Sequence, residues 1–370
     1  MPVLYHQIDP ESNRSTFTAF NTVSFVINTD RNVIRNSIRI EGELRVNSTG
    51  SNPGTRAAFT DRLHMNRTVG AHSLVESITT STGNGVVLEN ISQDYSRYVA
   101  MKQAATKTPE EYYDSAELCE LKAPTTDAAI AYACGEADDT SQGQVFNDAD
   151  FSFKPMICLN RASGDIPMSK LNNSIRISFN LARQQNVLCG LGQVDACNYV
   201  LSNLRLTYRS IEPSPMDSVM MKSVVPIKQI VSSSNASVNT RVPAVVDSVA
   251  ISFLQQSREN ANVFDTLALE RPPAVDEVSF LFNDATNKLQ QYVLSEQTEL
   301  LGGFLDALKS AGISSVSPGT VKGNSAYGLG LDFAGEVDLS NQKFGFNIRS
   351  GCSTANQYIA YMFFNSNIQL

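Results

Sequence analysis

The sequence predicts a mainly β protein made of two tandem eight-stranded jelly-roll barrels, with a few short helices and long loops. Three observations carry that prediction. Period-two alternation of apolar and polar residues dominates the chain. Helical spacing is confined to short stretches, with no strand–helix–strand rhythm. The plan of the first half recurs in the second.

The clearest strand is Ile38-Arg39-Ile40-Glu41-Gly42-Glu43-Leu44-Arg45-Val46. Alternation puts Ile38, Ile40, Leu44 and Val46 on one face and the charges on the other, as in a strand that covers a core and faces water. Val23, Phe25 and Ile27 alternate likewise. Leu74-Val75-Glu76-Ser77-Ile78 and Val86-Val87-Leu88 flank Gly83-Asn84-Gly85, a hairpin signal because Asn84 and Gly85 both tolerate positive φ. Further strands are expected at Phe151-Ser152-Phe153, at Ile175-Arg176-Ile177-Ser178-Phe179 and over 199–208.

Three helices are expected. Thr108, Pro109 and Glu111 form an N-terminal capping pattern leading through Tyr112, Tyr113 and Ala116. A second covers Tyr95, Tyr98 and Val99. The third follows Leu300, Leu301, Phe304, Leu305 and Leu308, with Gly312 as its stop and Ser317-Pro318-Gly319 beyond. This stripe reads as core packing.

The duplication rests on paired segments. Asn172-Asn173-Ser174-Ile175-Arg176-Ile177-Ser178-Phe179 matches Asn341-Gln342-Lys343-Phe344-Gly345-Phe346-Asn347-Ile348 in pattern. Asn198-Tyr199-Val200-Leu201 matches Gln357-Tyr358-Ile359-Ala360. Val249-Ala250-Ile251-Ser252-Phe253 is expected to open the second half, followed by Val278-Ser279-Phe280-Leu281-Phe282. The expected division is an N-terminal arm over 1–16, a first jelly roll over 17–212, a connector over 213–226 and a second jelly roll over 227–370. Pro213, Pro215 and Pro226 mark the connector, since proline suits extended linkers better than strand interiors. Loops 123–150 and 313–330 are expected to be exposed.

Composition narrows function. The 370 residues are 42% hydrophobic and 18% charged, enough for a large core and unlike a disordered chain. A net charge of −8, with no basic stripe, argues against a nucleic-acid surface. The start lacks a basic segment followed by an apolar one, so no secretory signal is expected. No apolar run of about 18 residues predicts a membrane helix. Cys119, Cys134, Cys158, Cys189, Cys197 and Cys352 have irregular spacing and read as reduced thiols of a cytoplasmic protein.

Catalytic and metal patterns are not found in the sequence. His6, His64 and His72 make no H-x-H or H-E-x-x-H motif, and His72 reads as structural. The fragments Gly83-Asn84-Gly85, Gly190-Leu191-Gly192 and Gly328-Leu329-Gly330 read as turns rather than phosphate loops. Gly351-Cys352-Ser353 reads as a turn, not a nucleophile elbow. Glu136, Asp138, Asp139, Asp148 and Asp150 offer oxygen ligands for Ca²⁺, against the plainer reading of a solvated loop. Met216, Met220 and Met221 are read as packing, with an adaptable interface as the alternative. No catalytic, cofactor-binding or metal residue is assigned, and no cofactor is expected.

The duplicated plan, the segment Gly70-Ala71-His72-Ser73-Leu74-Val75-Glu76-Ser77-Ile78 and the terminal strand over 358–364 resemble the double jelly-roll major capsid proteins. These belong to tailless icosahedral phages with an internal membrane and to the adenovirus hexon lineage. The resemblance spans nearly the whole chain but is one of architecture, so no site residue is carried over. It implies a non-enzymatic homotrimer with pseudo-hexagonal outline that tiles a virion shell and is made in the host cytoplasm. Its partners would be copies of itself, minor capsid or penton proteins, and an internal membrane, without sequence-specific nucleic-acid binding. Alternatives are a vertex or spike protein, a carbohydrate-binding β-sandwich, or an enzyme, the last having no assembled catalytic constellation.

Overall fold

The computed structural model describes residues 2–48, 64–65, 69–92, 94–106, 137–138, 145–146, 149–189, 197–213, 219–242, 244–259, 267, 275, 277–282, 287–292, 297–310 and 328–370. The first half contains β1 (Leu4–Ile8), β2 (Thr16–Thr18), β3 (Thr22–Asn28), β4 (Asn32–Val33), β5 (Arg39–Ser48), β6 (His64–Met65), β7 (Val75–Thr82) and β8 (Val87–Ile91). Helix α1 (Tyr95–Thr106) follows. Then come β9 (Ala137–Asp138), β10 (Val145–Phe146), β11 (Ala149–Phe153), β12 (Ser174–Leu181), the short helix α2 (Gln184–Val187), β13 (Leu188–Cys189) and β14 (Cys197–Ile211). The second half runs β15 (Met220–Val231), β16 (Asn235–Arg241), β17 (Val245–Gln255), β18 (Glu277–Phe282), β19 (Asn287–Tyr292), α3 (Gln297–Ser310), β20 (Leu329–Asp338), β21 (Lys343–Arg349) and β22 (Tyr358–Gln369).

Strand order defines both halves. In the first, one sheet runs β1-β14-β5-β11, with β2 continuing the β1 side of β14, and the other runs β3-β12-β7-β8. In the second, the sheets are β15-β22-β17-β20 and β16-β21-β18-β19. With β1 and β2 taken as one broken strand, eight strands per half stack as first-eighth-third-sixth against second-seventh-fourth-fifth. All these pairings are antiparallel. That order is a jelly roll, and it occurs twice. The helix α1 or α3 falls between the fifth and sixth strands of its half.

The alternation read from sequence becomes burial. Ile38, Ile40, Leu44 and Val46 are all buried, as are Val23, Phe25 and Ile27 of β3. In β14 the phase changes: Tyr199 and Leu201 point inward, then Leu204, Leu206 and Tyr208. A bulge between Ser202 and Arg205, with Asn203 at φ 51°, supplies the extra residue that flips the face.

The matched segments fall on equivalent strands. Residues 174–179 and 343–348 lie in the seventh strands, β12 and β21, and 199–201 and 358–360 lie in the eighth, β14 and β22. The second half does not open at Val249, which sits in its third strand. β15 and β16 precede it; β16, Asn-Ala-Ser-Val-Asn-Thr-Arg, buries Val238 within a polar stretch and gives little alternation to read. The expected connector over 213–226 overlaps β15, and Pro226 stands inside that strand opposite Phe363. β15 is an edge strand, where a missing N–H costs no ladder bond on the open side. The expected arm over 1–16 holds β1, paired to β14 from Leu4↔Ser210 to Ile8↔Leu206.

The Asn84-Gly85 hairpin forms, with a different turn. The Gly85 N–H bonds Thr82 O at 2.9 Å, and Gly85 at φ 85° is the turn residue with positive φ. Asn84 stays in the ordinary region and the ladder shifts register at Thr80/Ser81. The helix expected near Thr108 and the stop at Gly312 lie outside the described residues.

Gly328-Leu329-Gly330 is not a turn: it leads into β20, and these three residues of the expected loop 313–330 are buried. A Cβ on Gly330 would lie 2.7 Å from both Gly303 O and Phe304 Cα of α3. The glycine lets helix backbone approach strand backbone, so that Leu300, Phe304 and Leu308 reach the core. Gly330→Val is expected to cost about 1–3 kcal/mol through overpacking. Urea unfolding should show the loss, whereas Gly335→Ala, where a Cβ meets nothing within 4 Å, should change stability little.

Candidate functional site: the seam between the barrels

Where the barrels meet, barrel 1 supplies β8, α1 and the segment 157–163. Barrel 2 supplies the outer face of its β15-β22-β17-β20 sheet. Residue parity explains that face. Phe364 packs edge-on against Phe344 at 5.2 Å inside the second barrel. Its neighbours Phe363 and Tyr361 differ in phase and point outward, to the first barrel. Phe363 meets Tyr98 of α1 at 5.3 Å, and the Arg97 guanidinium lies 4.2 Å from the Tyr361 ring centroid. Buried on both faces, β17 and β22 read as near-continuous apolar runs.

One buried carboxylate stands at the centre. Glu89 of β8 is 2% exposed. It accepts the Cys158 N–H at 2.6 Å and, across the seam, the Val224 N–H of β15 at 2.9 Å. It also pairs with Arg161, whose guanidinium donates to the Tyr98 hydroxyl as well. Burial pushes the Glu89 carboxyl above the usual range, while Arg161 and the two backbone N–H groups pull against that. Burial opposes the charge of Arg161, yet Glu89 holds its pKa up. Lys102 of α1, 6% exposed and 5.1 Å from the Tyr98 ring centroid, sits well below the usual ammonium range. Burial is the main cause, and Arg161 adds to it.

A second polar group lies along the same seam. Arg183 donates to Glu259 O at 2.9 Å across the barrels, and Lys228 pairs with Glu259. Asn186 donates to Glu76 at 3.2 Å. Near the start of β15, the Ser163 N–H bonds Met220 O at 2.8 Å and Ser163 Oγ accepts the Met220 N–H at 3.1 Å. These contacts fix the angle between two rigid sandwiches; chemically the arrangement holds rather than transforms.

The residues weighed in sequence are scattered. His72 is buried, its Nδ1 3.1 Å from the Tyr95 hydroxyl and its ring 4.7 Å from Phe153, a packing role. The ring of His6 stacks on Tyr208 at 4.6 Å. Asp138 lies in β9, and Asp150 is exposed on β11; the rest of the acidic loop is outside the described residues. Among the described residues no group of three metal-ligating side chains occurs. Met221 is buried and Met220 is 46% exposed, while Met216 is outside the described residues. Cys158 and Cys352 are buried free thiols. Glu89 went unread in sequence because a lone glutamate in Val-Leu-Glu-Asn-Ile looks like any outward strand residue. Its exceptional position comes from the second barrel.

Two jelly rolls joined face to edge through a buried seam define the class: the double jelly-roll fold. Solved structures share it end to end. The PBCV-1 virus capsid, as a quasi-atomic model, matches with a TM-score of 0.61 at 11% identity, over 100% of this chain and 94% of that one. The Faustovirus major capsid protein gives 0.58 at 10% identity, over 100% and 90%. The mavirus major capsid protein gives 0.53 at 8%, over 98% and 86%. No protein-family model and no curated protein sequence matches the chain. The likeness lies in the path of the backbone, which is that of double jelly-roll capsid proteins.

Two predictions follow from the seam. Glu89→Ala strands Arg161 and two N–H groups, so about 3–5 kcal/mol of stability should be lost in denaturant unfolding. Lys102 gives a pH signature. Between its depressed folded pKa and the usual 10.5, the unfolded chain binds the proton that the native one has released, so this group makes stability rise with pH. Lys102→Met should raise the thermal midpoint at neutral pH and flatten that rise, read by melts from pH 7 to 10.

Proposed function

We propose that this chain is the major capsid protein of an icosahedral virion: a structural subunit that trimerises into pseudo-hexameric capsomers and tiles the shell. The supporting observation is the complete jelly-roll strand order in both halves, locked by the Glu89 seam into one rigid block. Three such blocks present six barrels, and a six-barrelled ring suits a hexagonal lattice of weak, repeated contacts. The structures that share the fold end to end are named as viral capsid proteins. The domain reading that goes with this function has the first barrel within residues 1–212 and the second from β15 onward. Minor capsid or penton proteins and an internal membrane are its proposed neighbours, and the host cytoplasm its place of synthesis. Its work is holding, not catalysis.

Light scattering of the purified protein should give a mass three times the 40.3 kDa of the chain, and negative-stain images should show pseudo-hexagonal particles, sheets or shells. A monomer at every concentration would refute the proposal. A monomer that also bound glycans on an array would favour a carbohydrate-binding sandwich.

A further inference from the structure

Each barrel has the same two faces: an outer B-side face on its four-stranded sheet of first, eighth, third and sixth strands, and a side bearing the fifth strand and the following helix. Within the chain, the helix side of the first barrel (β8, α1) covers the sheet face of the second (β15, β22). Two faces are left over. One is the outer face of β14-β5-β11 in the first barrel. The other is the side of the second barrel that bears β19 and α3.

The left-over sheet face is built differently from its counterpart. Where the second barrel shows Tyr361, Phe363 and Val224, the first shows a groove of about 420 Å³ lined by Glu41, Glu43, Asp150, Ser152, Asn203 and Arg205. Its carboxylates are held in place. Glu43 accepts from Asn203 Nδ2 at 2.7 Å and from Ser202 Oγ at 3.1 Å, and Glu41 accepts from Thr207 Oγ1 at 3.2 Å. Such a face is ordered and polar, and is not covered by any described part of its own chain.

The geometry points to a second copy of this chain as its occupant, docked by the β19–α3 side of its second barrel, in the way the first barrel docks on the second within one chain. The joint is head-to-tail, so repetition closes into a ring. Being polar where the seam is apolar, it forms and separates while the seam stays shut. This inference rests on the capsid reading and adds to it the surface through which copies meet.

The test compares three proteins by sedimentation over a range of concentrations: the wild type, the Glu43→Lys/Asp150→Lys double variant, and Glu277→Lys on the other sheet of the second barrel. The double variant should raise the concentration at which half the chains are associated by about tenfold or more, with circular dichroism and melting unchanged, while Glu277→Lys should associate as wild type. A double variant that associates like wild type would overturn the inference and leave the capsid reading intact. A wild type that never associates would overturn both. Should the double variant fail to fold, carbodiimide labelling of the wild type decides. Several-fold weaker modification of Asp150 in the associated form than in the dilute form is expected, and equal modification would sink the idea.

Discussion

A carboxylate taken out of water must find hydrogen bonds and a counter-charge or it will not stay. Glu89 finds them from three parts of the chain. Cys158 belongs to the turn after β11, Arg161 to the same turn, and Val224 to the other barrel. None of these partners reaches Glu89 unless the two barrels are seated. The rest of the seam depends on that. Tyr98, held by Arg161, can then lie against Phe363, and Arg97 can lie over Tyr361. Buried charge of this kind adds little net stability compared with an apolar contact of the same size. It does penalise every arrangement in which the contact is slightly wrong.

Around that point the barrels supply ordinary β-sandwich physics. Each keeps an apolar interior filled by alternate residues of its two sheets. The second also carries an apolar exterior, which is why β17 and β22 are buried from both sides. Gly330 belongs to the same layer. Its missing side chain brings α3 against β20, and α3 in turn lies beside α1 of the first barrel.

Much of this architecture was legible in the residues. Strands with one wet face announced themselves: Ile38 to Val46 and Val23 to Ile27 alternate because one side is dry. The recurrence of the seventh and eighth strands was also visible. Elements whose surroundings are unusual escaped. Pro226 resembled a linker because a proline in an edge strand looks no different, residue by residue, from one in a loop. Asn235 to Arg241 kept only one inward apolar side chain. Gly328 and Gly330 looked like turn residues, since a glycine needed for close approach and one needed for positive φ are spelled alike. The seam was invisible because its members are far apart in sequence and each, alone, is unremarkable in type.

Two units of like topology would ordinarily be able to trade places along a chain. The contrast between their outer sheet faces forbids it here. Put the unit with Glu41, Glu43 and Asp150 second, and its carboxylates would be pressed against an aromatic helix with no cation assigned to them. Put the unit with Tyr361 and Phe363 first, and two large rings would stand in water. The polypeptide therefore has a direction written into its surfaces, and a gene rearrangement that preserved every strand would still produce a protein unable to close upon itself.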